Sequence, residues 1–136
     1  MNISLRRGEK LYLNGAVLRA DRKVCIELMN DATFLLENHV MQAKDATTPM
    51  RQLYFVIQLM LMSPNDTASA LEMCRSMLVS LGQIFNDPRA IQGLKTIAKH
   101  LDDKRTFDAL KAVRELFPCE AEIMNQSATL ANDRAA

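Results

Sequence analysis

The chain has 136 residues, of which 49% are hydrophobic, and a formal net charge of +1 at pH 7. This length fits one domain or two small ones, and the hydrophobic content excludes a wholly disordered chain. Three cysteines without close spacing argue against a secreted disulfide framework and favour a reducing compartment. No apolar run follows the N-terminal charges, and the longest apolar stretch, residues 53–62, is too short to cross a bilayer. We therefore expect a cytoplasmic protein that makes no use of a membrane.

Positive charge is concentrated at the start of the chain. Residues 1–24 hold six basic and two acidic side chains, a local side-chain charge of +4. The basic residues are Arg6, Arg7, Lys10, Arg19, Arg22 and Lys23. A local excess of this kind is what a phosphate-bearing partner requires, whereas a solvated charged face explains the same residues without any partner.

The first 44 residues predict short strands. Asn14 and Gly15 separate two apolar runs and predict the tight turn of a hairpin. Alternation over 24–28 places Val24, Ile26 and Leu28 on one face, and residues 33–36 form a further short strand. Several short strands with little sequence between them indicate a small antiparallel sheet or partial barrel.

From residue 45 the pattern becomes helical. Thr48 and Pro49 are typical of a helix start, Asp66 is predicted to cap a second helix, and Pro118 to end the last one. The four predicted helices run over residues 49–62, about 66–85, about 88–101 and about 103–117. Residues 125–136 are small and polar, and we predict a flexible tail over 119–136.

The first helix is apolar nearly all round, which predicts either a central helix or one face that meets a protein partner. We place the candidate partner-binding residues at its start: Arg51, Tyr54 and Phe55. Phe55 is expected in the core, and Tyr54 is expected to be partly exposed because a phenol can keep its hydroxyl in water.

The sequence contains no motif that supports catalysis. The two histidines, His39 and His100, lie in no zinc motif, and the glycines form no phosphate-cradling loop. Cys25 and Cys74 are interpreted as small buried hydrophobes, and Asp102 with the acid after it as a cap for the fourth helix. We expect no enzyme, no cofactor and no metal.

Nucleic-acid binding has a stronger basis. Tyr12 lies between the basic residues of the predicted hairpin, and an aromatic ring can stack on an unpaired base while arginines contact phosphate. The RNA-binding candidates are Arg6, Arg7, Lys10, Tyr12, Arg19, Arg22 and Lys23.

Three blocks of the sequence resemble the FlbT family of flagellum biosynthesis repressors. Residues 7–17, Arg-Gly-Glu-Lys-Leu-Tyr-Leu-Asn-Gly-Ala-Val, resemble its N-terminal pattern, and residues 48–55 its Thr-Pro helix start with a Tyr-Phe pair. A weaker block, residues 97–101 with 109–111 and Arg114, is similar to its C-terminal helices. The resemblance implies a post-transcriptional regulator, repressing or activating, that acts at the 5′ untranslated region of flagellin mRNA. It also implies that the small flagellar protein FlaF works with it or against it.

Two details qualify this resemblance. The family often has a basic residue near 34–41, and this sequence has no Lys or Arg there. Separately, residues 5–11 are similar to the opening strand of the carbon storage regulator family, which binds mRNA leaders through strand edges.

We therefore predict an α+β protein with an antiparallel β unit over 1–44 that binds RNA, a helical bundle over 45–118 and a tail over 119–136. The predicted partner is the flagellin mRNA leader, with FlaF as a possible second partner and a homo-oligomer left open; DNA is not expected. Binding would repress translation or expose the message to mRNA decay. The alternative is a protein-interaction module, a partner of FlaF or flagellin, whose effect on mRNA is indirect.

Overall fold

The computed structural model describes residues 1–30, 32, 34–63, 65 and 67–135, with side chains described as far as residue 126. The strands are β1 (Asn2–Leu5), β2 (Lys10–Leu13), β3 (Ala16–Arg19), β4 (Val24–Glu27) and β5 (Phe34–Leu36). The helices are α1 (Pro49–Met62), α2 (Thr67–Ile84), α3 (Pro88–Asp102), α4 (Thr106–Glu115) and α5 (Phe117–Ala135). Two 3₁₀ turns, Glu37–His39 and Ala43–Asp45, connect β5 to α1. The predicted α+β class is confirmed.

The strands form two antiparallel sheets. One has the order β3-β2-β5, and the other is the pair β1-β4. The hairpin predicted between β2 and β3 is present. Asn14 and Gly15 have φ angles of +49° and +84°, the left-handed values that a two-residue hairpin turn requires. Their sequence therefore sets the register that places Lys10 opposite Arg19.

Two hydrophobic cores lie on either side of the strands. The smaller core is built from Ile3, Leu5, Leu11, Ala20 and Phe34. The larger one lies among the helices and includes Leu35, which is 0% exposed. Successive residues of a strand point to opposite faces, so β5 contributes to both cores and holds the β unit against the bundle.

α1 is the central helix of the bundle and packs against α2 and α4 as well as against β2 and β5. Its start follows the sequence prediction: Thr48 accepts a hydrogen bond from the Arg51 N–H (3.2 Å), and Pro49 occupies the first turn. The predicted end is also found, since α1 stops at Met62 and Ser63 is its C-cap.

Two buried polar side chains connect α1 to other parts of the chain. Gln58, 2% exposed, donates to the Met41 carbonyl (2.7 Å) and accepts from the Met41 N–H (2.8 Å). Glu120 of α5, 3% exposed, accepts from the Met50 N–H (2.8 Å) and from the Thr48 hydroxyl. Its carboxylate lies at the positive end of the α1 dipole, where a negative charge is stabilised. α5 is thereby attached to the first turn of α1.

The end predicted for the last helix is wrong. Pro118 does not end a helix: α4 stops at Glu115 and α5 begins at Phe117, which leaves Pro118 in a first turn, where its missing N–H costs nothing. The region predicted as a flexible tail is part of α5 as far as Ala135.

The predicted caps also differ from the structure. Asp102 does not cap α4: it is the last residue of α3, and the Asp102 carboxylate pairs with Arg75 (3.5 Å). The residue after it is the C-cap of α3. Arg105 holds the N-cap position of α4 instead. The cap predicted at Asp66 lies outside the described residues.

Candidate functional site

The six basic residues of the N-terminal segment are carried by two neighbouring connections and the strand ends beside them. The turn between β1 and β2 and the link between β3 and β4 are joined by two backbone hydrogen bonds, from Gly8 N to Ala20 O (2.7 Å) and from Ala20 N to Glu9 O (3.0 Å). Gly8 has a φ of +84°, so the turn favours glycine at this position. We call the set held together in this way the basic cluster: Arg6, Arg7, Lys10, Arg19, Arg22 and Lys23.

The register of both sheets adds to this arrangement. Leu5 is opposite Val24 in the β1-β4 pair, so the residues that follow β1 and precede β4 are neighbours. Lys10 is opposite Arg19 in the β2-β3 pair. The structure thus brings together, at one end of the β unit, residues that the sequence separates by up to seventeen positions.

The basic cluster is accessible to solvent. Five of its side chains are exposed, and Lys10 is partly buried. Two acids beside the cluster bind backbone groups: the Glu9 and Glu37 carboxylates accept from the N–H groups of Arg6 (2.7 Å) and Lys10 (2.8 Å). Within the described residues, the one ion pair of the cluster joins Arg22 to Asp21 at 3.4 Å, with both side chains exposed, and such pairs hold a cation weakly.

Tyr12 has a different environment from the cations around it. It is partly buried and packs against the helical core, opposite Val17 on one side and Leu35 on the other. Packing alone accounts for an aromatic residue here. Stacking of Tyr12 on a base stays a prediction.

A second candidate site is an open cleft of about 590 Å³ beside the first turns of α1. Arg51 and Arg114 supply positive charge, and the Arg51 guanidinium lies 4.5 Å from the centre of the Phe117 ring. The Tyr54 hydroxyl donates to the His39 carbonyl at the cleft. Burial and, to a smaller extent, the charge of Arg114 lower the pKa of the His39 imidazole, which is therefore held neutral to lower pH.

The structure reverses the burial predicted for the aromatic pair of α1. Tyr54 is 2% exposed, and its hydroxyl hydrogen-bonds to protein rather than to water. Phe55 is partly exposed and belongs to neither core. The three partner candidates are therefore not one surface, because Arg51 and Tyr54 line the cleft whereas Phe55 does not.

Sequence reasoning missed the cleft because its walls come from separate elements. Arg114 is on α4 and Phe117 on α5, and no local pattern connects either of them with Arg51. The sequence shows that Arg51 and Arg114 are charged, but it does not show that they lie close together, because their proximity depends on the packing of α4 against α1.

The two cysteines predicted to be buried, Cys25 and Cys74, differ in exposure. Cys74 is buried as predicted, and burial raises the pKa of its thiol to about 11. Cys25 is exposed, contrary to the prediction, and so are the other three residues of β4.

Neither a candidate metal site nor a candidate membrane span is found in the part of the chain that the structure describes. Within it, no group of three or more His, Cys, Asp or Glu side chains is placed to hold a metal ion. None of the described helices combines the length and apolar character needed to span a bilayer.

Comparison with known proteins gives a consistent result. The family profile described as "Flagellar protein FlbT" matches residues 1–124. A "Probable flagellum biosynthesis repressor protein FlbT" from Allorhizobium ampelinum is 50% identical over 125 residues, which cover 92% of this chain and 84% of the relative. Proteins of the same name from Brucella anthropi and Brucella abortus are 49% identical over 124 residues, covering 91% of this chain and 82% of each relative. No solved structure matches. The chain belongs to the FlbT family of flagellar proteins.

Proposed function

We propose that this protein regulates flagellin synthesis by binding the 5′ untranslated region of flagellin mRNA through the basic cluster. Relatives about half identical to it carry the name of flagellum biosynthesis repressors, which supports a regulatory role in flagellum synthesis. The observation that carries the RNA proposal is the basic cluster itself: two connections, joined by hydrogen bonds, hold six cations at one exposed end of the β unit.

The chemistry of this end suits a single-stranded leader. Arginine and lysine side chains contact phosphates whatever the base, and loops of RNA leave bases unpaired for additional contacts. Occupying a leader near its ribosome site would block initiation or expose the message to decay. Either outcome uses binding alone, in the cytoplasm, and needs no catalytic group on this chain.

The test is binding of the purified protein to a flagellin leader RNA across a series of salt concentrations. The variant combines Arg6→Ala with Arg7→Ala. The hydrogen bond between Arg6 and Glu9 uses the backbone N–H of Arg6, so alanine retains it. The affinity for RNA decreases as salt increases, so the slope of log affinity against log salt is negative. If both side chains contact phosphate, this slope should become shallower by about 1.4, or about 0.7 for each contact with a single strand.

A matched control removes the same charge elsewhere. Lys95 on α3 and Lys111 on α4 are exposed and lie outside the β unit, so the combined Lys95→Ala and Lys111→Ala variant should keep the slope of the unchanged protein. Equal slopes for both double variants would refute the assignment of RNA contacts to the basic cluster.

A second candidate function is docking of a protein, FlaF or flagellin, on α1. Phe55, Leu59 and Met62 recur at four- and three-residue spacing and therefore share a helix face. Leu59 is 39% exposed, and the other two are partly exposed. If this face is the docking site, Leu59→Glu should abolish binding of purified FlaF or flagellin and leave RNA binding unchanged. Unaltered binding of both proteins would refute the docking site.

A further inference from the structure

The β1-β4 sheet ends at an edge that is open in the described chain. β4 pairs with β1 on one side, and no described strand pairs with its other side. Val24 and Ile26 share a face with the buried Ile3 and Leu5, yet they are 38% and 37% exposed. The apolar face of this small sheet therefore continues onto β4 and is left uncovered there. A two-stranded sheet is only marginally stable by itself, and an open edge offers hydrogen bonds to another strand.

The backbone groups at this edge can be identified from the ladder. Leu28 donates its N–H to the carbonyl of the first residue (2.8 Å) and accepts from the ammonium group of that residue (3.3 Å). Hydrogen-bonded and non-hydrogen-bonded pairs alternate along an antiparallel ladder, so Ile26 and Val24 also direct their backbone groups toward β1. The N–H and C=O groups of Cys25 and Glu27 therefore point outward, to the open edge.

The residues at this edge are complementary to a second copy of themselves. In an antiparallel pairing about a two-fold axis at Cys25, the two Cys25 residues lie opposite each other and each Val24 lies opposite Ile26 of the other copy. Each Lys23 then lies opposite Glu27 of the other copy, so the pairing contains two opposite-charge pairs. Both charged side chains are exposed, and neither has an ion-pair partner among the described residues. Opposite charges directly across a strand pair stabilise it.

Neighbouring registers lack this complementarity. A shift of two residues, which keeps the outward groups aligned, places Asp21 opposite Glu27 in one direction, and these are like charges. In the other direction it places Lys23 opposite Met29 and removes the charge pairs. The other edge strands of the described sheets are β1, β3 and β5, with the sequences Asn-Ile-Ser-Leu, Ala-Val-Leu-Arg and Phe-Leu-Leu. None of them holds an acid, so pairing any of these strands with itself gives no ionic match.

We propose that two copies of this chain associate through β4, forming a four-stranded antiparallel sheet in the order β1-β4-β4-β1. In this sheet the apolar row from Leu5 and Val24 continues into Ile26 and Ile3 of the second copy, which covers the exposed aliphatic side chains. The proposal does not rest on RNA binding, and its tests use protein alone.

The first test exchanges the charges. Lys23→Glu and Glu27→Lys, made separately, each place like charges opposite each other twice per dimer and should weaken association by roughly 2- to 30-fold. The double variant restores opposite charges and should restore association. Mass is measured by sedimentation over a range of concentrations, with circular dichroism to verify folding. A protein that is monomeric at every concentration, or a dimer that is equally strong in all four proteins, overturns the proposal.

The second test uses the cysteine at the axis. A short bis-maleimide should join the two Cys25 thiols and give a covalent dimer, which Cys25→Ser should abolish and Cys119→Ser should not. Cys25 is exposed and Cys119 is partly buried, so the Cys119→Ser variant tests whether the crosslink uses a thiol outside β4. A covalent dimer that persists in Cys25→Ser and disappears in Cys119→Ser would contradict pairing at β4.

Discussion

The adjacent aromatic residues of α1 allow a sharp test of the packing, because Tyr54 and Phe55 differ in burial within one helical turn. Tyr54 is 2% exposed, is in contact with the Phe117 ring (5.6 Å between ring centres) and donates to the His39 carbonyl. Phe55 is partly exposed and contributes to neither core. Replacing each with alanine therefore removes similar side chains from different environments, while the helix propensity changes by a similar small amount.

The expected loss of stability differs accordingly. Truncating a buried aromatic residue to alanine costs about 3–5 kcal/mol in lost burial and cavity formation, and Tyr54→Ala also leaves the His39 carbonyl without its donor, which adds about 1 kcal/mol. Phe55→Ala removes a side chain that already contacts water, and we expect about 1–2 kcal/mol. The two variants should therefore differ by at least about 2 kcal/mol, or roughly 5–10 °C in melting temperature for a chain of this size.

Urea denaturation followed by circular dichroism gives both free energies of unfolding, and an unchanged m-value confirms that the compared states are the same. Tyr54→Phe is the control for the hydrogen bond, since it keeps the ring and removes only the hydroxyl. A loss for Phe55→Ala equal to or larger than that for Tyr54→Ala would refute the packing of α1 described here.

Three further predictions follow from single contacts. Gly93→Ala should destabilise the protein by about 1–2 kcal/mol, because the new Cβ would lie 2.5 Å from a leucine methyl group of the core. Gly82→Ala, whose Cβ would meet nothing within 4 Å, should stabilise it by about 0.5–1 kcal/mol, and a urea series in which both variants shift stability in the same direction would contradict this. Glu120→Gln should cost about 1–3 kcal/mol by weakening the charge-assisted bonds at the start of α1, and an unchanged melting temperature would show that they contribute nothing. Cys25 should react with maleimide at once at pH 8, and Cys74, whose pKa is raised to about 11, only on unfolding; equal labelling rates in the native protein would contradict the burial of Cys74.

Features that depend on a few neighbouring residues were predictable from the sequence. Asn14 and Gly15 tolerate positive φ and therefore specify the hairpin, and Thr48 with Pro49 specifies the start of α1. The basic cluster was predictable in part, because a hairpin must bring the residues before and after its turn together. The hydrogen bonds that join the two connections could not be inferred, since they depend on how β1 and β4 pair.

Features that depend on packing were not predictable. α1 is apolar on nearly every side, so its sequence gives no reason to bury Tyr54 rather than Phe55; the choice is made by His39 and Phe117, which lie elsewhere in the chain. Pro118 is equally suited to follow one helix or to begin another, and only the structure distinguishes the two. The cleft is unpredictable for the same reason, since its two arginines come from different helices.

The contact between Glu120 and the start of α1 has a consequence for synthesis. The carboxylate lies 72 positions beyond the Thr48 hydroxyl that it contacts, so it leaves the ribosome only after α1, α2, α3 and α4 have all been translated. Until then the Met50 N–H, at the start of the central helix α1, lacks its native hydrogen-bond acceptor. The β unit, whose strand pairings are complete by Leu36, has no such dependence on later residues for its own hydrogen-bonded ladders. A growing chain can therefore pair its strands early, whereas the contact between α5 and the start of α1 forms only after α5 has been synthesised.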